Sequence, residues 1–237
     1  MPGNGERRMW TNHRTILLAA ASMMVFGCVA AGPEARPPFP RSARERMEEL
    51  LRDIERACPI EVVHDEVPSG KGSPVGVPEL LHAFQFLEVL KEELLKYPPG
   101  FLHNAGVRKV YLVRGSPDHC YYHGATRSFT IGCGVRHDPV WQRHCIHHEI
   151  WHAVDMLGAP LQVKRFMKWH ELNEPGVKYV GESGFDRSRA GSLNHPQKGF
   201  VSSYAMVDPL EDRAEVFAAM MVVQERMILN RWMCSDE

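Results

Sequence analysis

The sequence predicts an α+β domain, and three observations carry the prediction. Segments 42–57, 78–96 and 139–157 repeat apolar residues at helical spacing. Two runs, "RKVYLVR" at 108–114 and "RSFTI" at 127–131, hold strand-forming residues bounded by turn formers. A last helix opens at Asp208-Pro209 and continues to about Asn230. The 237 residues are 44% hydrophobic, enough for one core, and the formal net charge of −1 gives no reason to expect nucleic acid as a partner.

The N-terminus reads as an export signal. Arg7, Arg8 and Arg14 precede "ILLAAASMMVFG", an apolar run too short to span a bilayer comfortably. The run ends at Cys28 in "VFGC", which resembles a bacterial lipobox, where a lipid is joined to the cysteine after cleavage. The expected organisation is a signal at 1–31, a proline-rich spacer at 32–42 and one domain at 43–237. The protein is thus expected to be exported, either held at a membrane by lipid on Cys28 or secreted after ordinary cleavage near "CVAAG"; an uncleaved N-terminal anchor is the third reading. An exported chain can form disulfides, and Cys120 and Cys133, flanking a hairpin-like stretch, are the expected pair.

The first helix, "SARERMEELLRDIERA", places Met47, Leu50, Leu51 and Ile54 on one stripe. The second, at 78–96, is ended by Pro98-Pro99-Gly100. The stretch "GSPDHCYYHGA" reads as turn-rich, and residues 159–203 read as a long loop, a length usually reserved for function or disorder. Asp138 offers an N-cap and Pro139 a first helical position for the helix over 139–157. Ile146, Ile150, Val154 and Leu157 form its apolar stripe.

That helix contains "RHCIHHEIWHAVD". His148 and His152 are four apart and share a face, so two neutral imidazoles can bind one zinc ion. Glu149 stands beside them as the general base for water activated by the zinc, whose bound water has a pKa of roughly 7. The plainer reading is a core helix with satisfied histidines. His147 falls off the metal register and His144 comes a turn too early, so both are expected to be surface or packing residues. Asp155 is expected either to support a histidine or its neighbour, or to be a solvated position on the helix.

A catalytic zinc needs a third protein ligand and an open position. The final helix offers "EDRAE", with Glu211, Asp212 and Glu215, beside an apolar stripe of Ala214, Phe217, Ala218 and Met221. Acids at a helix start are favoured by the helix dipole, which accounts for Glu211 and Asp212 better than for Glu215. The residues alone leave the choice among the three open.

"HHEIWHAVD", "WHELN" at 169–173, "FVSSYA" at 200–205 and "EDRAEVFAAMM" at 211–221 together resemble a family of zinc-binding, gluzincin-like metallopeptidases, many of them exported bacterial lipoproteins. The motif order is also similar to the catalytic domain of anthrax lethal factor. The resemblance covers roughly residues 80–225. It implies a zincin-like fold with a small mixed sheet, an HExxH helix and a C-terminal helix carrying the third ligand. It implies zinc held by His148, His152 and Glu215, with Glu149 as base and Tyr204 as donor to the oxyanion. A thermolysin-type reading of the same acidic pair would instead make Glu211 the ligand and leave Glu215 to support a histidine. The implied activity is hydrolysis of peptide bonds in a peptide or protein. The alternatives are a zinc amidohydrolase that does not cut proteins, and an anchored binding protein with a vestigial site. "RSFTI" and the 159–203 loop are expected to build the specificity pocket.

Overall fold

A computed structural model describes residues 43–66, 73–75, 80–114, 120–133, 138–157, 169–185 and 193–235. The expected signal, Cys28 and the spacer lie outside the described residues, as do 158–168 and 186–192 of the long loop. Among the described residues, six α-helices and a five-stranded sheet make an α+β fold. The helices are α1 (Ala43–Ala57), α2 (Leu80–Leu94), α3 (Phe101–Asn104), α4 (Pro139–Leu157), α5 (Pro209–Met221) and α6 (Val223–Ser235). The strands are β1 (Glu61–Val63), β2 (Ser73–Pro74), β3 (Lys109–Arg114), β4 (Tyr121–His123) and β5 (Ser128–Gly132). None of the described helices is long and apolar enough to cross a membrane.

The sheet is mixed. β1 and β5 flank β3 in parallel, β4 adds antiparallel to β5 as an outer strand, and β2 pairs antiparallel with the end of β3. β5 is buried along its whole length because β3 and β4 cover both its edges and helix α4 packs on it. Three strands were not legible as such. Ser73–Pro74 is only two residues long and lies among turn formers. Glu61–Val63 is only three residues long. Tyr121–His123 sits inside the stretch that reads as turn-rich, yet its two tyrosines suit a pleated, half-buried edge.

The core joins Met47 and Ile54 of α1, Phe86, Leu87 and Leu90 of α2, Val110, Leu112, Phe129 and Ile131 of the sheet, and Ile146 and Ile150 of α4. The expected α4 stripe departs at its end. Leu157 is 47% exposed, and Ala153 takes the buried position instead. A second apolar cluster, around Phe200, Val201, Ala205, Ala219 and Leu229, holds the end of the long loop against α5 and α6.

The final helix breaks where a continuous one was expected. Val222 adopts an extended conformation (φ −86°, ψ 119°) between α5 and α6. Two adjacent β-branched residues, Val222 and Val223, lower helix preference there, and Val222 is fully buried. Its carbonyl accepts the Arg226 N–H at 2.8 Å, which starts α6.

A buried polar knot ties α2 to α4. Glu93 is fully buried and contacts Lys96, Arg143 and His147, with His147 Nε2 at 2.6 Å. Tyr97 Oη lies 2.6 Å from His147 Nδ1. Lys96 and Arg143 compensate the Glu93 charge, so His147 serves as a neutral ring: Nε2–H donates to Glu93 and Nδ1 accepts from Tyr97. Burial accordingly holds the His147 pKa below its usual value despite Glu93. Burial also opposes the Glu93 charge, but His147 and Lys96 hold its carboxyl down to about 2. In the unfolded chain it titrates near its ordinary 4.5. The unfolded state therefore takes up this proton first as pH falls, so the stabilisation is complete above about 4.5 and is lost toward about 2. Urea midpoints compared between about pH 5 and about pH 3 should fall further for the wild type than for Glu93→Gln.

Candidate metal centre

Two capped helices build the site. The Asp138 side chain accepts the Val140 N–H at 2.9 Å, with Pro139 in the first turn of α4. The Asp208 side chain accepts the N–H groups of Leu210 and Glu211 at 2.6 and 3.0 Å, with Pro209 in the first turn of α5. Both starts are those the sequence predicts. α4 then packs along α5, bringing the histidine stripe of one helix to the acids of the other.

His144, His148 and His152 succeed one another at one-turn intervals on α4. His148 Nε2 lies 3.0 Å from His152 Nε2 and 3.0 Å from Glu211 Oε2, and His152 Nε2 lies 3.4 Å from Glu211 Oε2. Ligand atoms about 2.0–2.1 Å from one tetrahedral zinc would be about 3.3 Å apart, so the three atoms are spaced like one face of such a site. Glu211 Oε2 is buried, and neither imidazole closes a directional hydrogen bond on it. Two ring nitrogens and a carboxylate oxygen this close need a positive charge among them. A divalent ion with N/O preference fits these donors.

The third ligand implied by the resemblance, Glu215, stands elsewhere. Its Oε1 is 2.9 Å from His148 Nδ1 and 2.9 Å from His144 Nε2. Its Oε2 accepts the Ser202 hydroxyl at 2.5 Å. One turn deeper on α5 than Glu211, and only 2% exposed, it faces the back of the His148 ring rather than the cavity. The structure thus gathers His148, His152 and Glu211, with Glu215 behind them. Burial pushes both carboxyls up, but their histidine partners hold them well below the usual carboxylate range. His148 is correspondingly raised by Glu211 and Glu215 against the effect of burial.

Glu149 and Tyr204 line the same cavity of about 280 Å³ as His148, His152 and Glu211. Glu149 is 3% exposed, and its Oε2 has no hydrogen-bond partner. Burial raises its pKa, with His148 and His152 acting in the opposite sense. The Tyr204 ring stands 5.8 Å from His148 and 5.1 Å from Phe185, and burial together with Glu211 pushes its hydroxyl pKa up. Tyr121, Tyr122, Met156 and Leu210 also line this cavity. The expected wall strand, "RSFTI", is the interior β5; its neighbour β4 reaches the cavity instead.

Asp155 supports the site without touching a histidine by hydrogen bond. Its Oδ2 accepts from Arg213 Nε at 3.0 Å and Nη2 at 2.8 Å, clamping α4 to α5. Both side chains are 4% exposed. Removing one partner of such a pair strands a buried charge, so Arg213→Ala should lose about 3–5 kcal/mol in denaturant unfolding. Asp212, grouped with the candidate ligands in the sequence, is not part of the His148–His152–Glu211 cluster. Its Oδ2 accepts the Trp169 indole N–H at 2.7 Å and the Tyr179 hydroxyl at 2.8 Å. Burial pushes its pKa up to about 7. Its place is to fasten the loop containing "WHELN" to α5.

Of the two places expected for His144 and His147, surface or packing, they take the second. Both are almost wholly buried in polar networks. His144 presents Nε2 to Glu215 and Nδ1 to Glu225 Oε2 at 2.8 Å. With a carboxylate on each side both nitrogens donate, so the ring is an imidazolium. Burial opposes that charge, but the two glutamates lift the pKa to about 9. The one-turn spacing from His148 was the available signal for His144. Glu225 had none, because its position depends on the break at Val222. The expected Cys120–Cys133 disulfide is not formed, and Cys120 is instead the hydrogen-bond neighbour of Cys145.

Comparisons of the chain with protein-family models, curated proteins and solved structures return no match.

Proposed function

We propose that this chain is a zinc-dependent metallopeptidase with a zincin-like arrangement of its α+β elements. The observation that carries this reading is the convergence of His148 Nε2, His152 Nε2 and Glu211 Oε2 in one cavity beside Glu149, whose buried Oε2 has no hydrogen-bond partner. Zinc held by those three side chains would supply a Lewis acid for the water and the substrate carbonyl.

The chain's own groups do the rest. Glu149 Oε2 accepts a proton from the attacking water, and its burial brings a carboxylate's basicity toward neutral pH. The same carboxyl can then return the proton to the departing amine. Tyr204, with its hydroxyl held protonated, donates to the developing oxyanion. Glu215 Oε1 stands 2.9 Å from Nδ1 of His148, at the back of the ring, and so supports the orientation that aims Nε2 at the cavity. The apolar wall of Tyr122, Met156 and Leu210 gives a peptide side chain a place to rest.

Export and attachment of lipid at Cys28 are further proposals, resting on residues 1–31 of the sequence. The activity is tested by incubating zinc-loaded protein with casein and a random peptide library and reading the products by mass spectrometry. Internal cleavages that stop when a chelator is added are expected. Intact substrates throughout would overturn the peptidase reading, and turnover of small amides alone would favour the amidohydrolase.

A further inference from the structure

We propose that His144, clamped between Glu215 and Glu225, is a positioning residue that sets how tightly the candidate metal centre holds zinc. This inference rests on the metal-site reading above and extends it by two residues that touch neither the metal atoms nor the cavity.

The chain of contacts is continuous. Glu225 Oε2 accepts from His144 Nδ1 at 2.8 Å, and His144 Nε2 donates to Glu215 Oε1 at 2.9 Å. The same Oε1 lies 2.9 Å from His148 Nδ1. The link thus runs from α6 through α4 to α5 and back to the metal-facing histidine on α4. All four residues are less than one-tenth exposed. Trp141 stacks on the His144 ring at 5.0 Å and 16°, which fixes its plane.

Position explains why the chain matters to the metal. Glu215 faces two imidazoles, and one of its oxygens is shared between them. His144 therefore fixes where that oxygen stands, and the oxygen backs the Nδ1 edge of the His148 ring whose Nε2 faces Glu211. With Glu215 free to shift, His148 loses the outer partner that orients it. Glu225 holds the far nitrogen of His144, and the extended Val222 brings it there by turning the chain into α6.

The test uses the full domain, with zinc as the probe. Zinc dissociation constants are measured by competition with a chromophoric chelator for wild type, His144→Gln, Glu225→Gln and Glu211→Ala. Thermal unfolding of the metal-free forms is read alongside, and so is the visible absorption of the cobalt-substituted forms. We expect His144→Gln and Glu225→Gln to weaken zinc by about 10- to 100-fold, the usual effect of losing an outer partner of a ligating histidine. Glu225→Gln keeps an acceptor for His144 Nδ1, so its metal-free form should melt lower than wild type but still cooperatively, and its cobalt spectrum should shift. Should His144→Gln fail to fold, Glu225→Gln decides alone. A Glu225→Gln protein with wild-type zinc affinity and cobalt spectrum overturns the proposal, provided Glu211→Ala has lost zinc. If wild type itself binds no zinc, the metal-site reading fails first and this proposal falls with it.

Discussion

Glu149→Gln should lower peptide cleavage by about 10²- to 10⁴-fold, the range that a positioned general base supplies, while zinc content stays at the wild-type level. The substitution is nearly isosteric and removes only the ability to take a proton. Glu149 is buried and its Oε2 has no hydrogen-bond partner, so the amide strands no pre-existing contact and the fold should be kept. The adjoining His148 and His152 keep their ring nitrogens facing Glu211. Zinc stoichiometry and cleavage rate measured on the same preparation separate the base from the ligands. Equal cleavage by the variant and the wild type would remove Glu149 from the chemistry.

Glu211→Ala should abolish stoichiometric zinc binding, whereas Glu215→Ala should weaken it while leaving a measurable site. The two glutamates share a face of α5 one turn apart, but their surroundings differ. Glu211 supplies an oxygen to the point where both Nε2 atoms meet, so its loss removes one of three ligand atoms. Glu215 acts on the far nitrogen of one histidine, an outer contact with an effect of about 10- to 100-fold on affinity. Zinc titration of both variants gives the order directly. If Glu215→Ala loses zinc and Glu211→Ala keeps it, the arrangement implied by the family resemblance is restored and the one drawn from the geometry is wrong.

Much of the site was legible because it obeys local rules. The Asp-Pro starts of α4 and α5 follow from capping and from the preset backbone of proline. The shared face of His148 and His152 follows from helical periodicity alone. What could not be read is set by tertiary placement. Glu211 and Glu215 lie on the same stripe of α5, so the sequence offers both to α4. Only the depth and rotation at which α5 packs decide that Glu211 meets the Nε2 atoms and Glu215 the Nδ1. His144 reads as a turn too early to matter because its partners arrive from other helices, and Glu225 is brought there by the extended Val222. Asp212 reads as part of the acidic cluster, yet the Trp169 and Tyr179 donors that claim it come from a loop with no periodic signal. β4 escaped because three residues between turn formers are too few for a pattern.

The central claim is the position of the metal. The most direct measurement is a crystal structure of the zinc-loaded protein with anomalous diffraction recorded at the zinc edge. The account predicts one peak within bonding distance of His148 Nε2, His152 Nε2 and a Glu211 oxygen, open toward the cavity that holds Glu149 and Tyr204. A peak among His144, His148 Nδ1 and Glu215, the other cluster of close ligand atoms among the described residues, would contradict it.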